Sequence, residues 1–400
     1  VSFLISGAIN PKEPEMKELK AISPQGKYCF FGYYDKCQWD EKEEYLLFHE
    51  VAFQDRLPLK EDRAKICLME AKTGKVEIID ETCAWNFQQG AMLQWLPGQR
   101  VLYNSVRDGR FISVIRDIHT GGRKEIGRPA STVSPDGNYA VSINFARLAT
   151  WRAGYGYESL PDPWAKEKWP KDDGVYSVDL NTGDYRLIIS LERLRGLRNE
   201  DDVPLSFGRI NHTDFAPDGK HFLFLNRWKK EAKIPGGKTR FFVSDLEGKN
   251  MNDMVDTYRI SHFAWKNERE AIAWMDYRGK QGFWLVDTET NNVRFLSEKI
   301  QTLDGHCSYS KDKRYILLDT YPLEGLKTDR DGFVYPDGYR YLKIFDTAEG
   351  KDTVLGKYYS PPLISDVIRC DLHPRWGRKH DKISFDSIHE GYRRTYSVSL

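Results

Sequence analysis

An all-β fold, a single seven-bladed β-propeller domain spanning residues 1–400, is predicted by three features of the sequence. First, an apolar run stopped by a polar residue recurs seven times: YLLFHE with His49, VLYN with Asn104, AVSIN with Asn144, FLFLN with Asn226, IAWMD with Asp276, YILLD with Asp319 and KISFD with Asp386. Second, six of the strands that follow close on an acid and a tight turn, from Glu70 to Gly74, Asp117 to Gly121, Asp179 to Gly183, Asp245 to Gly248, Asp287 to Asn291 and Asp346 to Gly350. Third, the seventh unit stops at Leu400 before any such turn, so its outer strand must come from elsewhere, and the N-terminal segment at about residues 16–22 is available. Radial repetition closed by pairing the two chain ends leaves only short sheet edges.

Within one unit the elements follow in a fixed order, seen most clearly in RINHTDFAPDGKHFLFLN, from Arg209 to Asn226. An inner strand ends near an aromatic, Phe215. The turn Pro217-Asp218-Gly219 reverses the chain cheaply, because proline presets φ and glycine accepts φ > 0. The apolar second strand follows, then a third, then a charged fourth such as KVEIID or DYRLIIS, suited to an exposed outer edge.

Composition agrees with one ring. Aromatic content of 13% suits sheets packed face to face. With 60 basic against 59 acidic residues, no net field draws nucleic acid. No apolar run approaches the ~20 residues of a membrane helix. The chain begins at Val1 without a signal-like apolar core, which reads as a mature or trimmed chain; a periplasmic or secreted monomer is expected. Six cysteines at 29, 37, 67, 83, 307 and 370 form no CxxC pair and leave the redox compartment open.

Insertions point to a working face. They fall between second and third strands, at 52–63, 146–173, 227–238 and 321–338, and in a propeller those connections open on one side. Long loops on one face of a rigid scaffold are where sites are built. Aligning the inner strands on Phe215, Trp265, Tyr309 and Trp376 puts His212, His262, His306 and His373 at one register, three residues earlier. Four of nine histidines at one repeat position form a candidate cluster.

His306 and His373 lie on neighbouring blades beside Asp371 and Cys370, a donor set suited to zinc or manganese, with a catalytic or a structural part. The alternative is a hydrogen-bonded pair that braces the ring closure. A basic group, Lys36, Arg147, Arg152, Arg227 and Arg240, is expected near the same mouth and suits an anionic guest. Tyr34 and Tyr155 are placed to stack on sugar rings, and Gln88 and Gln89 to bond hydroxyls. No GxSxG, HExxH or GxxxxGK[ST] sequence is present.

Blades four to seven resemble the β-propeller polysaccharide lyases typified by oligogalacturonate lyase, with the ulvan lyases as cousins. The resemblance rests on TRFFVSD with Arg240, ISHFAW with His262, DGHCSYS with His306 and DLHPRW with Asp371 and His373. It implies Arg240 as charge stabiliser, His262 as base, and His306 with His373 as metal ligands. The chain departs from that pattern where Asp371-Leu372-His373 replaces a His-Pro-His pair, which bears on the metal's identity. The expected reaction is β-elimination at C4 of a uronic acid in an acidic oligo- or polysaccharide. Tyr155, Tyr157 or His212 would supply the acid for the leaving oxygen. The rivals are a non-catalytic TolB-like propeller that binds a glycan or protein, and a glycoside hydrolase on the same scaffold.

Overall fold

Leu19, Lys20 and Ala21 pair antiparallel with Val398, Ser397 and Tyr396, so the two ends of the chain share one sheet. The computed structural model describes residues 18–197, 201–233, 237–321, 327–328, 334–335, 338–361 and 366–400. Residues 16 and 17 of the predicted closing segment, and most of the 321–338 insertion, lie outside the described residues. Among those described, seven four-stranded sheets follow one another around a ring. The seventh runs from the inner strand Arg375–Trp376 through Lys382–Ser387 and Arg394–Ser399 to Leu19–Ala21. The predicted seven-bladed propeller, closed by an N-terminal strand, is the observed architecture.

Each unit folds as its repeat dictates. All six acid-led turns carry the backbone bond that closes them, for example Gly74 N–H to Glu70 O and Gly350 N–H to Asp346 O. The central strands are apolar on both sides because both sides are covered. Leu223, Leu225 and Phe241 of blade four pack against Phe263, Trp265 and Met275 of blade five. Similar wedges fill the gaps between other neighbouring blades. Burying one such side chain contributes roughly 1.5–3 kcal/mol.

Several of the polar residues that close the apolar runs of the second strands bind the backbone of a neighbouring blade. Asp386 of blade seven accepts from Phe31 N–H and Gly32 N–H at the entrance to blade one. His49 of blade one accepts from Ala91 N–H of blade two. Asn104 of blade two bonds both ways with Ala130 of blade three. These side chains satisfy buried backbone groups that the bends of the inner strands would otherwise orphan.

The inner strands bulge where the histidines stand. Pairing in blade four slips between Asn211 and Thr213, leaving His212 out of the ladder at φ 46°. In blade five the slip falls between Ile260 and Phe263 and frees His262. His373 has φ 44°. A bulge re-aims one side chain, and positive φ in a non-glycine residue is strain that a site can exploit.

Candidate active site

The four histidines gather around two tyrosines. The ring of Tyr33 lies 5.0 Å from that of His212, 5.7 Å from His306 and 5.1 Å from His373, centroid to centroid. Tyr34 stands 5.9 Å from His262 and 4.8 Å from His306. Gly32, at φ +127°, lets this segment in: a Cβ there would sit 2.9 Å from the carbonyl oxygen of Gln89. The Tyr34 hydroxyl donates to Phe263 O at 2.8 Å and accepts from Phe263 N–H, so Tyr34 ties the entry segment to blade five.

His306, Asp371 and His373 each offer a ligand atom within 4.8 Å of the others. All three are buried; His306 Nε2 and His373 Nε2 have no hydrogen-bond partner, and Asp371 Oδ2 lies 3.0 Å from Arg369 Nε. Asp319 receives His306 Nδ1 at 2.9 Å, which turns Nε2 of that ring toward the trio. Burial would raise the Asp371 carboxyl, yet Arg369 and Arg340 hold it far below the usual carboxylate range. Orphaned imidazole nitrogens beside an ionised carboxylate fit a divalent cation. Cys370 stands apart from this trio: its thiol is pushed up to about 11 by burial and its sulfur faces Asp371 O at 4.0 Å.

His262 belongs to a second arrangement. Its Nδ1 lies 2.9 Å from Asp304 Oδ1 and its Nε2 3.0 Å from the Tyr321 hydroxyl. A carboxylate only accepts, so Nδ1 carries the proton, and the lone pair of Nε2 accepts from Tyr321. Burial holds the imidazole below its ordinary range against the pull of Asp304, which leaves it a neutral base. Arg369 lies over the Tyr321 ring at 5.1 Å and reaches the Tyr155 hydroxyl at 3.4 Å. His262, Tyr321, Arg369, Tyr155 and Asp371 are therefore contiguous. The ring of His212 stacks on Phe263 at 4.1 Å, and burial lowers its pKa to about 4.

The basic residues separate into different places. Arg227 stands directly across the strand pair from Arg209 in blade four, and Arg152 lies over the Tyr155 ring at 5.2 Å. Arg147 is structural: its guanidinium bonds the carbonyls of Gly208, Trp164, Glu167 and Lys168 and pairs with Asp162, stitching the 146–173 insertion to blade four. Arg240 pairs with Asp253 of the outer strand, through Nε at 2.9 Å. It lies over Phe242, on the opposite face of blade four from Arg227. Lys36 is not at the mouth. It pairs with Asp35 at 2.8 Å and lines a cavity of about 290 Å³ with Pro97, Pro135 and Asp214 at the turn end of the ring. Gln88 reaches Arg369 O with its amide at 3.0 Å, and the side-chain oxygens of Gln88 and Gln89 are buried without a partner.

Tyr321, Arg369, Arg209 and the orienting part of Asp304 escape a reading by motif. One signal was available for Arg209. Counting outward from Pro217-Asp218-Gly219 with one residue bulged sets it opposite Arg227.

Solved structures share this fold. Oligogalacturonate lyase of Vibrio parahaemolyticus superposes with a TM-score of 0.65 at 13% identity, over 96% of this chain and 93% of that one. An oligogalacturonate lyase in complex with manganese matches at 0.65 and 15%, again over 96% and 93%. TolB of Acinetobacter baumannii follows at 0.41 and 15%, over 90% of this chain and 83% of that one. At these identities the likeness to the two lyase structures is one of fold. No protein-family model and no curated protein sequence matches the chain.

Proposed function

We propose that this propeller is a polysaccharide lyase that breaks the bond to O4 of a uronic acid by β-elimination. The observation that carries the reading is the chain Asp304–His262–Tyr321, set beside the trio His306, Asp371 and His373. His262, neutral and oriented by Asp304, takes the C5 proton on Nε2. The C4–O4 bond breaks as the C4–C5 double bond forms, and the Tyr321 hydroxyl gives its proton to the departing O4. The proton on His262 Nε2 then returns to the tyrosinate along their 3.0 Å contact, which restores both groups. Tyr155, joined to Tyr321 through Arg369, would hold the sugar.

A divalent cation on His306, Asp371 and His373 would neutralise the uronate carboxylate and so acidify the C5 proton. The oligogalacturonate lyase solved with manganese supports this expectation. Arg240, to which the resemblance assigns that charge role, has its guanidinium committed to Asp253, whereas Arg369 and Arg340 lie over the Tyr321 ring. Asp304 is engaged by His262, Asp371 by arginines, Asp319 by His306 and Asp35 by Lys36, which disfavours an acid pair for hydrolysis.

The test is a panel of pectic, ulvan-type and glucuronate-containing glycans followed by ultraviolet absorbance. A new unsaturated uronate absorbance with wild type, abolished in His262→Ala while the glycan still binds, is the expected result. Near-normal turnover in His262→Ala would remove that residue from the mechanism.

A further inference from the structure

Arg209 and Arg227 occupy directly opposed positions on adjacent strands of blade four and share one face of the sheet. Like charges at such positions repel, and burial magnifies the cost. Arg209 is only 2% exposed, and its Nε and Nη1 have no hydrogen-bond partner; the Nε of Arg227 is equally without one. Among the described residues no carboxylate forms an ion pair with Arg209, Arg227 or Arg152. Burial, together with the neighbouring charges of Arg227, Arg152 and Arg147, lowers Arg209 to about 9. Lys229, two residues along the strand from Arg227, is lowered to about 8 by burial and by the charges of Arg209 and Arg152. Burying an arginine such as Arg209 beside other cations, with no carboxylate paired to it, costs stability unless an anion joins them.

We infer that Arg209, Arg227 and Arg152 form an anion subsite, distinct from the trio, that takes a carboxylate or sulfate group. Arg227 also sits within electrostatic influence of Tyr33, Tyr155 and Asp304, which places the subsite on the border of the histidine cluster. The planar fork of a guanidinium matches either group bidentately. That the anion belongs to a sugar next to the one being cleaved rests on the lyase reading; the arginine site itself does not. On that reading the substrate carries acidic groups on more than one residue.

Thermal unfolding and calorimetric titration of wild type and Arg227→Gln, with sodium sulfate and with sodium glucuronate against chloride at equal ionic strength, test the subsite. Wild type is expected to gain several degrees of Tm with one or both probes, and the variant to bind that probe at least tenfold more weakly. The probe that binds tighter tells a sulfate ester from a carboxylate. No protection of wild type beyond chloride, or undiminished binding in Arg227→Gln, overturns the subsite. Elimination activity without an anion effect would remove the arginine site alone. An anion effect without elimination on any glycan would remove the lyase reading alone.

Discussion

Asp319 holds His306 twice, accepting from its backbone N–H at 2.7 Å and from its ring Nδ1 at 2.9 Å. The same carboxylate accepts from the backbone N–H of His373 at 3.2 Å. One buried side chain at the end of a second strand thus orients the His306 imidazole, holds the backbone of His373 and joins blade six to blade seven.

Asp319→Asn should therefore weaken metal binding without touching a ligand. An amide has one accepting oxygen where the carboxylate has two, and its NH₂ would face donors. Loss of such an orienting partner costs typically 10–100-fold in metal affinity. Titration of metal-free protein with zinc or manganese checks this; unchanged affinity would reduce Asp319 to a brace.

Acid should destabilise the ring through His49. Burial lowers this imidazole to about 4, and its Nε2 must stay unprotonated to accept from Ala91 N–H. The unfolded chain protonates it near 6.5, so the unfolded state binds more protons between the two values. The stability is present in full above about pH 6.5 and is lost as pH falls toward 4, on the order of 3 kcal/mol in all. His49→Asn, which copies the residue at this register in other blades, should flatten that part of the stability–pH curve.

Gly90→Ala should be costly for a reason that His49 shares. Gly90 has φ +59°, and a Cβ would fall 2.3 Å from His49 Cε1. Overpacking of this kind costs about 1–3 kcal/mol. Combined with His49→Asn, part of that cost should vanish, so a double-mutant cycle in urea reads a coupling; strict additivity would show that the clash relaxes elsewhere.

Arg147→Met should lower stability by roughly 3–5 kcal/mol, because Asp162 and several buried carbonyls lose their partner together. The Tm of the variant checks this, and a change within 1 °C would contradict the stitching part assigned to Arg147.

The ring was legible because its signals are periodic. His49, Asn104, Asp319 and Asp386 close the apolar runs of four second strands, and the six acid-led turns mark where the third strands end. The histidine register was legible for the same reason. Side-chain commitments were not. Arg240 meets Asp253 on a fourth strand only two residues long, which leaves no pattern to read. Arg147 is claimed by main-chain carbonyls, which sequence does not display. Lys36 stands three residues before Trp39, the spacing of the histidines from their aromatics, but Asp35 faces His212 at 3.6 Å and the lysine turns toward the turn end of the ring. Tyr321 follows Asp319 by two residues at the mouth of an insertion, where only the folded chain brings it to His262.

Elimination and hydrolysis leave products that differ in mass by one water. Mass spectrometry of a defined uronate oligomer after exposure to the enzyme should give fragments whose masses sum to that of the parent, one of them carrying the C4–C5 double bond. Fragments that together exceed the parent by one water would show hydrolysis and contradict the account.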